Sequence, residues 1–295
     1  MPESPHLAEI RRLDPVRDHQ RIVALDACYE FPFDTTRSLE LALFRTFAVP
    51  SIGELLDSTR EFGDRAQKRY DDTDLLISTF AEHGYDSELG RRAIRRMNQI
   101  HGRFPIANED FLYVLSTFVF EPIRWNARFG WRPLIDVEKQ ATFLFWREVG
   151  RLMAIKDVPE TFEAFERFNV EFERDRFAFT DGGRRVADAT MTMFVRWFPG
   201  LPVALGRRAI VALLDDHLID ALGYERPAPA LRRTIHAALR ARGRASRLLG
   251  HRRRARIRTD MRHRSYPRGY VIEELGPPPA SSPRGAADQR REAVP

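Results

Sequence analysis

The chain has 295 residues, 43% of them hydrophobic, with a formal charge of +6, which suits one large domain or two small ones. A single cysteine, Cys28, excludes an internal disulfide, and no apolar run reaches the ~18 residues that a membrane span needs. The start, Met1-Pro2-Glu3-Ser4-Pro5-His6, has neither the basic nor the apolar region of a signal peptide, so a soluble, cytoplasmic protein is expected.

The charge is unevenly spread. Residues 226–268 hold fifteen arginines against one acid, Asp260, a local +14 that leaves −8 for the rest. An acidic body therefore carries one basic segment, and the high isoelectric point belongs to that segment.

In chain order, residues 1–17 read as a partly ordered lead. A helix over 18–30 turns Ile22, Leu25 and Tyr29 inward, and Phe31-Pro32-Phe33-Asp34 breaks it. Asp34 or Thr35 is placed to cap a helix over 36–48, whose stripe is Leu39, Leu43, Phe44 and Phe47. Pro50 opens a helix to about residue 60, and Gly63 punctuates the chain before a helix over 64–83. Asp86 or Ser87 caps the next helix, which ends at Gly102 and Pro105. Asn108 reads as an N-cap, with Glu109 and Asp110 suited to the positive end of a helix running to about residue 129.

Further helices are expected over 133–155, 159–177, 184–198, 203–222 and 229–249, with a turn at Asp181-Gly182-Gly183 and a C-cap at Gly223. From 276 onward, Pro, Ser and Gly dominate, the composition of a disordered tail. No stretch alternates at period two and no repeat is visible. The fold class is all-α: a single bundle-like domain of about ten helices over 18–275, with a cofactor pocket in its core.

The most informative stretch is 91–118. Ile94, Met97, Ile100 and His101 share the inward face of one helix, and Phe111, Leu112, Val114, Leu115 and Phe118 give the following helix a broad apolar face. His101 thus stands at the inner end of a helix beside a second buried helix. Spacing alone favours a core histidine satisfied by a carbonyl over a ligand. Upstream, Arg69 and Thr73 stand four apart, so a guanidinium and a hydroxyl share one helix face; with Lys68, Asp71 and Asp72 adjacent, this by itself is an ordinary solvated face.

The ordered set Arg69-Tyr70-Asp71-Asp72-Thr73, Arg96-Met97-Asn98-Gln99-Ile100-His101 and Asn108-Glu109-Asp110-Phe111-Leu112-Tyr113-Val114-Leu115 resembles the rubber oxygenase (latex clearing protein) and mycophenolic-acid oxygenase family, called MpaB-like. Glu121-Pro122-Ile123-Arg124-Trp125, Gly130-Trp131-Arg132, 146–155, Val158-Pro159 and Tyr266-Pro267-Arg268-Gly269-Tyr270 extend the resemblance over about residues 18–275.

The resemblance implies a haem b-dependent oxygenase using O2 on a small apolar organic substrate, such as an isoprenoid, with His101 as the proximal iron ligand. It also implies Arg69 and Thr73 near the pocket, with Arg69 either pairing a propionate, which an arginine fork suits, or ordering the distal side. Of Arg92, Arg95 and Arg96 on the histidine helix, Arg96 is the best placed to reach a propionate or another carboxylate, with a basic face paired to acidic neighbours as the other reading. The match departs on the distal side. Glu54 and Glu61 both lie near the separation of the family's proposed glutamate base without a clean match, and Asp72 stands where some relatives have a distal lysine.

Glu121, Arg124, Arg147 and Glu148 read as structural ion pairs. No Glu-x-x-His, cysteine cluster, Gly-rich phosphate loop or nucleophile elbow occurs. The arginine run has three readings: an extension folded over the acidic body, a peripheral membrane-surface helix with Leu239, Leu248 and Leu249 as its apolar side, or a nucleic-acid contact. Aromatic interleaving is missing before Tyr266, which sets nucleic acid last. A non-catalytic haem- or lipid-binding helical protein is the alternative to an enzyme.

Overall fold

The computed structural model describes residues 3–248 and 250–277. Among them the chain forms thirteen α-helices, a π-helical segment and a short 3-10 turn, with no strand. The two helices beyond the periodic count arise in the lead, where α1 (Pro5–Ile10) buries Leu7 and Ile10, and from division of 203–222 into two. The tail expected from 276 lies outside the described residues from 278 on, as does Leu249.

Local chemistry explains several boundaries that differ from the periodic reading. After α2 (His19–Leu25) the backbone widens into a π-helix over Asp26–Glu30, which turns Asp26, Cys28 and Glu30 into the core. α3 (Pro32–Phe47) then begins on Pro32, whose missing N–H costs nothing in a first turn. Asp34 is therefore inside the helix, not its cap; its buried carboxylate accepts from Trp125 Nε1 at 2.8 Å and pairs with Arg242.

α4 (Pro50–Ser58) leads into α5 (Glu61–His83), which continues through Gly63; its irregularity falls at Arg65, with φ −142° and ψ 42°. α6 (Glu88–His101) is capped by Ser87, whose hydroxyl accepts from Gly90 N at 2.9 Å. α7 (Asn108–Phe129) takes Ala107 at its cap position. Asn108 instead grips the backbone of Lys156 at both ends of its amide, fixing where α7 starts.

α8 (Asp136–Leu152) and α9 (Phe162–Arg176) follow. The expected turn at 181–183 is the first turn of α10 (Asp181–Arg196): Thr180 Oγ1 accepts from Gly183 N and Glu54 Oε1 from Gly182 N, each at 3.0 Å. These glycines serve close approach, because a Cβ on Gly183 would sit 2.3 Å from the Phe47 carbonyl. α11 (Val203–Val211) precedes α12 (Asp216–Ala221), which is terminated by Gly223, in the left-handed region at φ +67°. α13 (Pro229–Leu248) completes the set.

Two large apolar clusters hold most of the domain, and a small third joins Ile10, Ile22, Leu25 and Ala141. Of the large two, one joins Leu76, Phe80, Ile94, Phe120 and Phe145, with Ile272 and Leu275 returning from the C-terminal segment. The other joins Phe44, Phe47, Tyr113, Met191 and Phe194. Beside the second, Arg45 reaches Glu121 (3.0 Å), Glu173 (2.8 Å) and Asp215 (2.6 Å), tying α3, α7 and α9 to the start of α12. Glu121 also takes Arg124, whereas Arg147 and Glu148 make surface contacts with the Glu160 carbonyl and Arg151.

The basic segment lies across the acidic body. Arg232 pairs with Asp216 at 2.7 Å, Arg258 with Asp74 at 2.7 Å, and Ser265 N donates to Asp71 at 2.8 Å. The extension folded over the body, the first of its three readings, is the geometry seen.

Candidate functional site

A cavity of about 660 Å³ opens between the two large clusters. This is within the ~300–1,000 Å³ of ordinary ligand pockets. α3, α4, α5, the end of α6, α7 and Trp146 of α8 surround it, and Met97, Ile100, Phe111, Leu115 and Phe118 supply much of an apolar wall. Pro122 also lines it; lacking an N–H, it leaves the Phe118 carbonyl without its helical partner.

His101 is the last residue of α6 and lines this cavity, its ring edge-on to Phe111 at 5.2 Å between centroids. Its Nδ1 is buried with no hydrogen-bond partner. Burial first, and the charge of Arg69 second, lower its pKa to about 4. The imidazole is thus neutral at physiological pH, the form that binds a metal. A core histidine satisfied by a carbonyl would show a bond that His101 does not make.

Arg69 and Thr73 stand one turn apart on α5 and line the same cavity. Arg69 Nη1 donates to Thr73 Oγ1, and Thr73 returns its proton to the Arg69 carbonyl at 3.1 Å. The guanidinium also lies over the Phe62 ring at 5.4 Å. It forms no ion pair among the described residues, and burial lowers its pKa against the pull of Asp72 and Glu61. A cation without a counter-ion beside an apolar cavity is costly unless a ligand brings the anion.

The remaining candidates are dispersed. Arg96 donates from Nε to the Leu275 carbonyl at 2.7 Å and does not line the cavity. Glu54 caps α10, whereas Glu61 lines the cavity while paired with Arg65. Asp72 lines it too, but is held by Lys68 at 2.8 Å and by the Tyr266 hydroxyl, and Lys68 also donates to the Gly276 carbonyl at 2.9 Å. The C-terminal segment therefore closes one side of the cavity.

Sequence reasoning missed two features. Asp26 lines the cavity from the π-helix, both carboxyl oxygens buried without a hydrogen-bond partner; burial, then the charge of Glu138, holds its pKa well above the ordinary carboxylate range. Arg37, Glu40, Asp74 and Arg258 form a polar stretch of the lining. Burial raises Glu40 to about 7, against the pull of Arg37 and of the Tyr70 hydroxyl, which donates at 2.8 Å. An acid inside the apolar pattern of 18–30 was the one visible signal for Asp26; nothing local marks the others, because Arg258 reaches Asp74 from 184 residues away.

The sequence matches the family described as ER-bound oxygenase mpaB/B'/rubber oxygenase, catalytic domain, over residues 40–247. The chain belongs to this family. Among its relatives are ER-bound oxygenase mpaB' of Penicillium brevicompactum, 29% identical over 68% of this chain and 52% of the relative. ER-bound oxygenase mpaB of Penicillium roqueforti is 28% identical over 66% of this chain and 72% of the relative. The mpaB of Penicillium brevicompactum is 35% identical over 43% of this chain and 34% of its own. The chain thus spans about half the length of the first relative.

These names correct the expectation of a cytoplasmic protein, since all three relatives are ER-bound. The expectation rested on the lack of long apolar runs and of a signal-peptide pattern. Among the described residues no helix is long and apolar enough to cross a membrane, but such a run reports spanning alone; a protein also attaches through its surface or a lipid anchor.

Proposed function

We propose that this chain is a haem b-dependent oxygenase that uses O2 on an apolar organic substrate of isoprenoid type. The observation that carries the reading is His101, a neutral imidazole without a hydrogen-bond partner on the wall of a large apolar cavity that also holds the unpaired Arg69. A single imidazole suffices for iron when a porphyrin supplies the other ligands. His101 would hold the iron and Arg69 a propionate, which brings the missing counter-ion. Haem supplies the activation of O2 when bound.

The chain's own residues do the rest. Thr73 fixes the Arg69 fork through a hydrogen bond, so that little freedom is lost on gripping a carboxylate. Phe111, Phe118 and Trp146 exclude water and bind the substrate by apolar contact. The oxygenase names of the relatives support the reaction class.

The test is the visible spectrum of protein expressed with haem supplied, beside His101→Ala. A Soret band in the wild type that is lost or strongly altered in the variant is expected. No band in either overturns the cofactor.

A further inference from the structure

The cavity is not apolar throughout. Where α3 meets the 250–258 segment, Arg37, Arg256 and Arg258 all belong to its lining. Arg258 is engaged, its Nε bonded to Asp74 at 2.7 Å. Arg37 spends one amino group on Glu40, and its Nε is buried with no partner. Arg256 is tied down through its backbone, which donates to the Cys28 carbonyl at 2.9 Å. Its guanidinium forms no ion pair or hydrogen bond among the described residues. The charges that act on it are those of Arg252, Arg258 and Arg37, all repulsive.

A group of cations gathered around an arginine that no carboxylate answers costs free energy in the free protein, and that cost is relieved by a bound anion. Free solvent anions need no pocket. This group, however, borders a cavity whose other walls are Phe31, Leu39, Ile77, Phe80 and Phe118, suited to a hydrocarbon chain. O2 and a wholly apolar substrate give the arginines nothing to bind. Arg69 lines the same cavity from α5, where it is bonded to Thr73.

We infer that the cavity accepts an amphiphile: an apolar chain directed inward and an anionic head group, carboxylate or phosphate, held by Arg256 and Arg37. The inference rests on the oxygenase reading only in taking this amphiphile as the substrate; the binding stands by itself. The fork of each arginine matches either oxyanion.

The experiment is calorimetric titration of haem-reconstituted protein with farnesoic acid, farnesyl monophosphate and farnesol, which share one chain and differ in head group. At least one of the two anions is expected to bind about tenfold more tightly than the alcohol, the worth of one charge-assisted hydrogen bond. Tighter binding of the acid alone names a carboxylate head, and of the phosphate alone a phosphate head. Arg256→Gln, at an exposed position, should remove the preference, while Arg244→Gln on the outer side of α13 should keep it. Equal binding of the anions and the alcohol, or an intact preference in Arg256→Gln, overturns the inference. The Soret band of the same sample reports the cofactor separately. Protein that prefers the anion but shows no band keeps the head-group site and loses the haem.

Discussion

Arg69 and His101 line one cavity from different helices, and the guanidinium of the first helps hold the imidazole of the second neutral. The pair explains each other's state. A neutral imidazole tolerates the nearby cation, and the cation forms no ion pair among the described residues, because Asp72 and Glu61, which pull on it, are engaged by Lys68 and Arg65.

The pH dependence of the haem-free protein follows. His101 titrates near 4 when folded against 6.5 as its ordinary value. The unfolded chain therefore takes the proton first as pH falls. Stability is unaffected above about 6.5 and declines toward pH 4, by about 3 kcal/mol in all. Denaturant unfolding of His101→Leu beside the wild type should show a difference that grows over this window. Parallel curves would show that His101 protonates as easily folded as unfolded.

Arg69→Met should act in opposite directions on the two forms. Removing an uncompensated buried cation should stabilise the haem-free protein, by about 1–3 kcal/mol. It should also weaken haem retention, because the propionate loses its partner. Thermal unfolding without haem and haem transfer to an acceptor protein measure the two effects. A variant less stable without haem would mean that Arg69 has a structural counter-ion.

How much of this was legible depends on range. The apolar stripe Ile94, Met97, Ile100 announced the His101 helix because helical periodicity is a local signal. Gly182 and Gly183 misled for the opposite reason. A pair of glycines reads as a turn, but here they let α10 approach the Phe47 carbonyl, a contact 136 positions away that no local pattern contains. The basic segment was visible as composition, whereas its seats on Asp34, Asp74 and Asp216 were not, since each partner is an acid like many others in the body. Arg96 was read toward the cofactor from its place beside the histidine, but a helix turns each successive residue by about 100°, and Arg96 faces the C-terminal segment instead.

Gly183→Ala tests the close approach directly. The new methyl would meet a backbone oxygen at 2.3 Å, which cannot rotate away as a side chain could. Overpacking of this kind costs about 1–3 kcal/mol, offset in part by the better helix propensity of alanine, at most about 1 kcal/mol and less in a first turn. The loss should appear as a lower denaturation midpoint at unchanged slope. Cavity chemistry should be preserved, so the Soret position of loaded protein should not move.

Arg45→Met should be the most damaging of the single changes. The side chain is 12% exposed and holds Glu121, Glu173 and Asp215 together. Its removal leaves carboxylates facing one another in a low-dielectric site, and breaking a buried pair from one side costs about 3–5 kcal/mol. The acids would relieve part of that by taking up protons, which gives the prediction its second half: the deficit should shrink as pH falls toward the carboxylate range. In the wild type Arg45 keeps Asp215 below its ordinary value, whereas burial still raises Glu173 against the pull of Arg45, so the added relief in the variant comes from losing that pull. Unfolding free energies at neutral and mildly acidic pH decide it, and a deficit independent of pH would mean that lost packing, not the unpaired carboxylates, dominates.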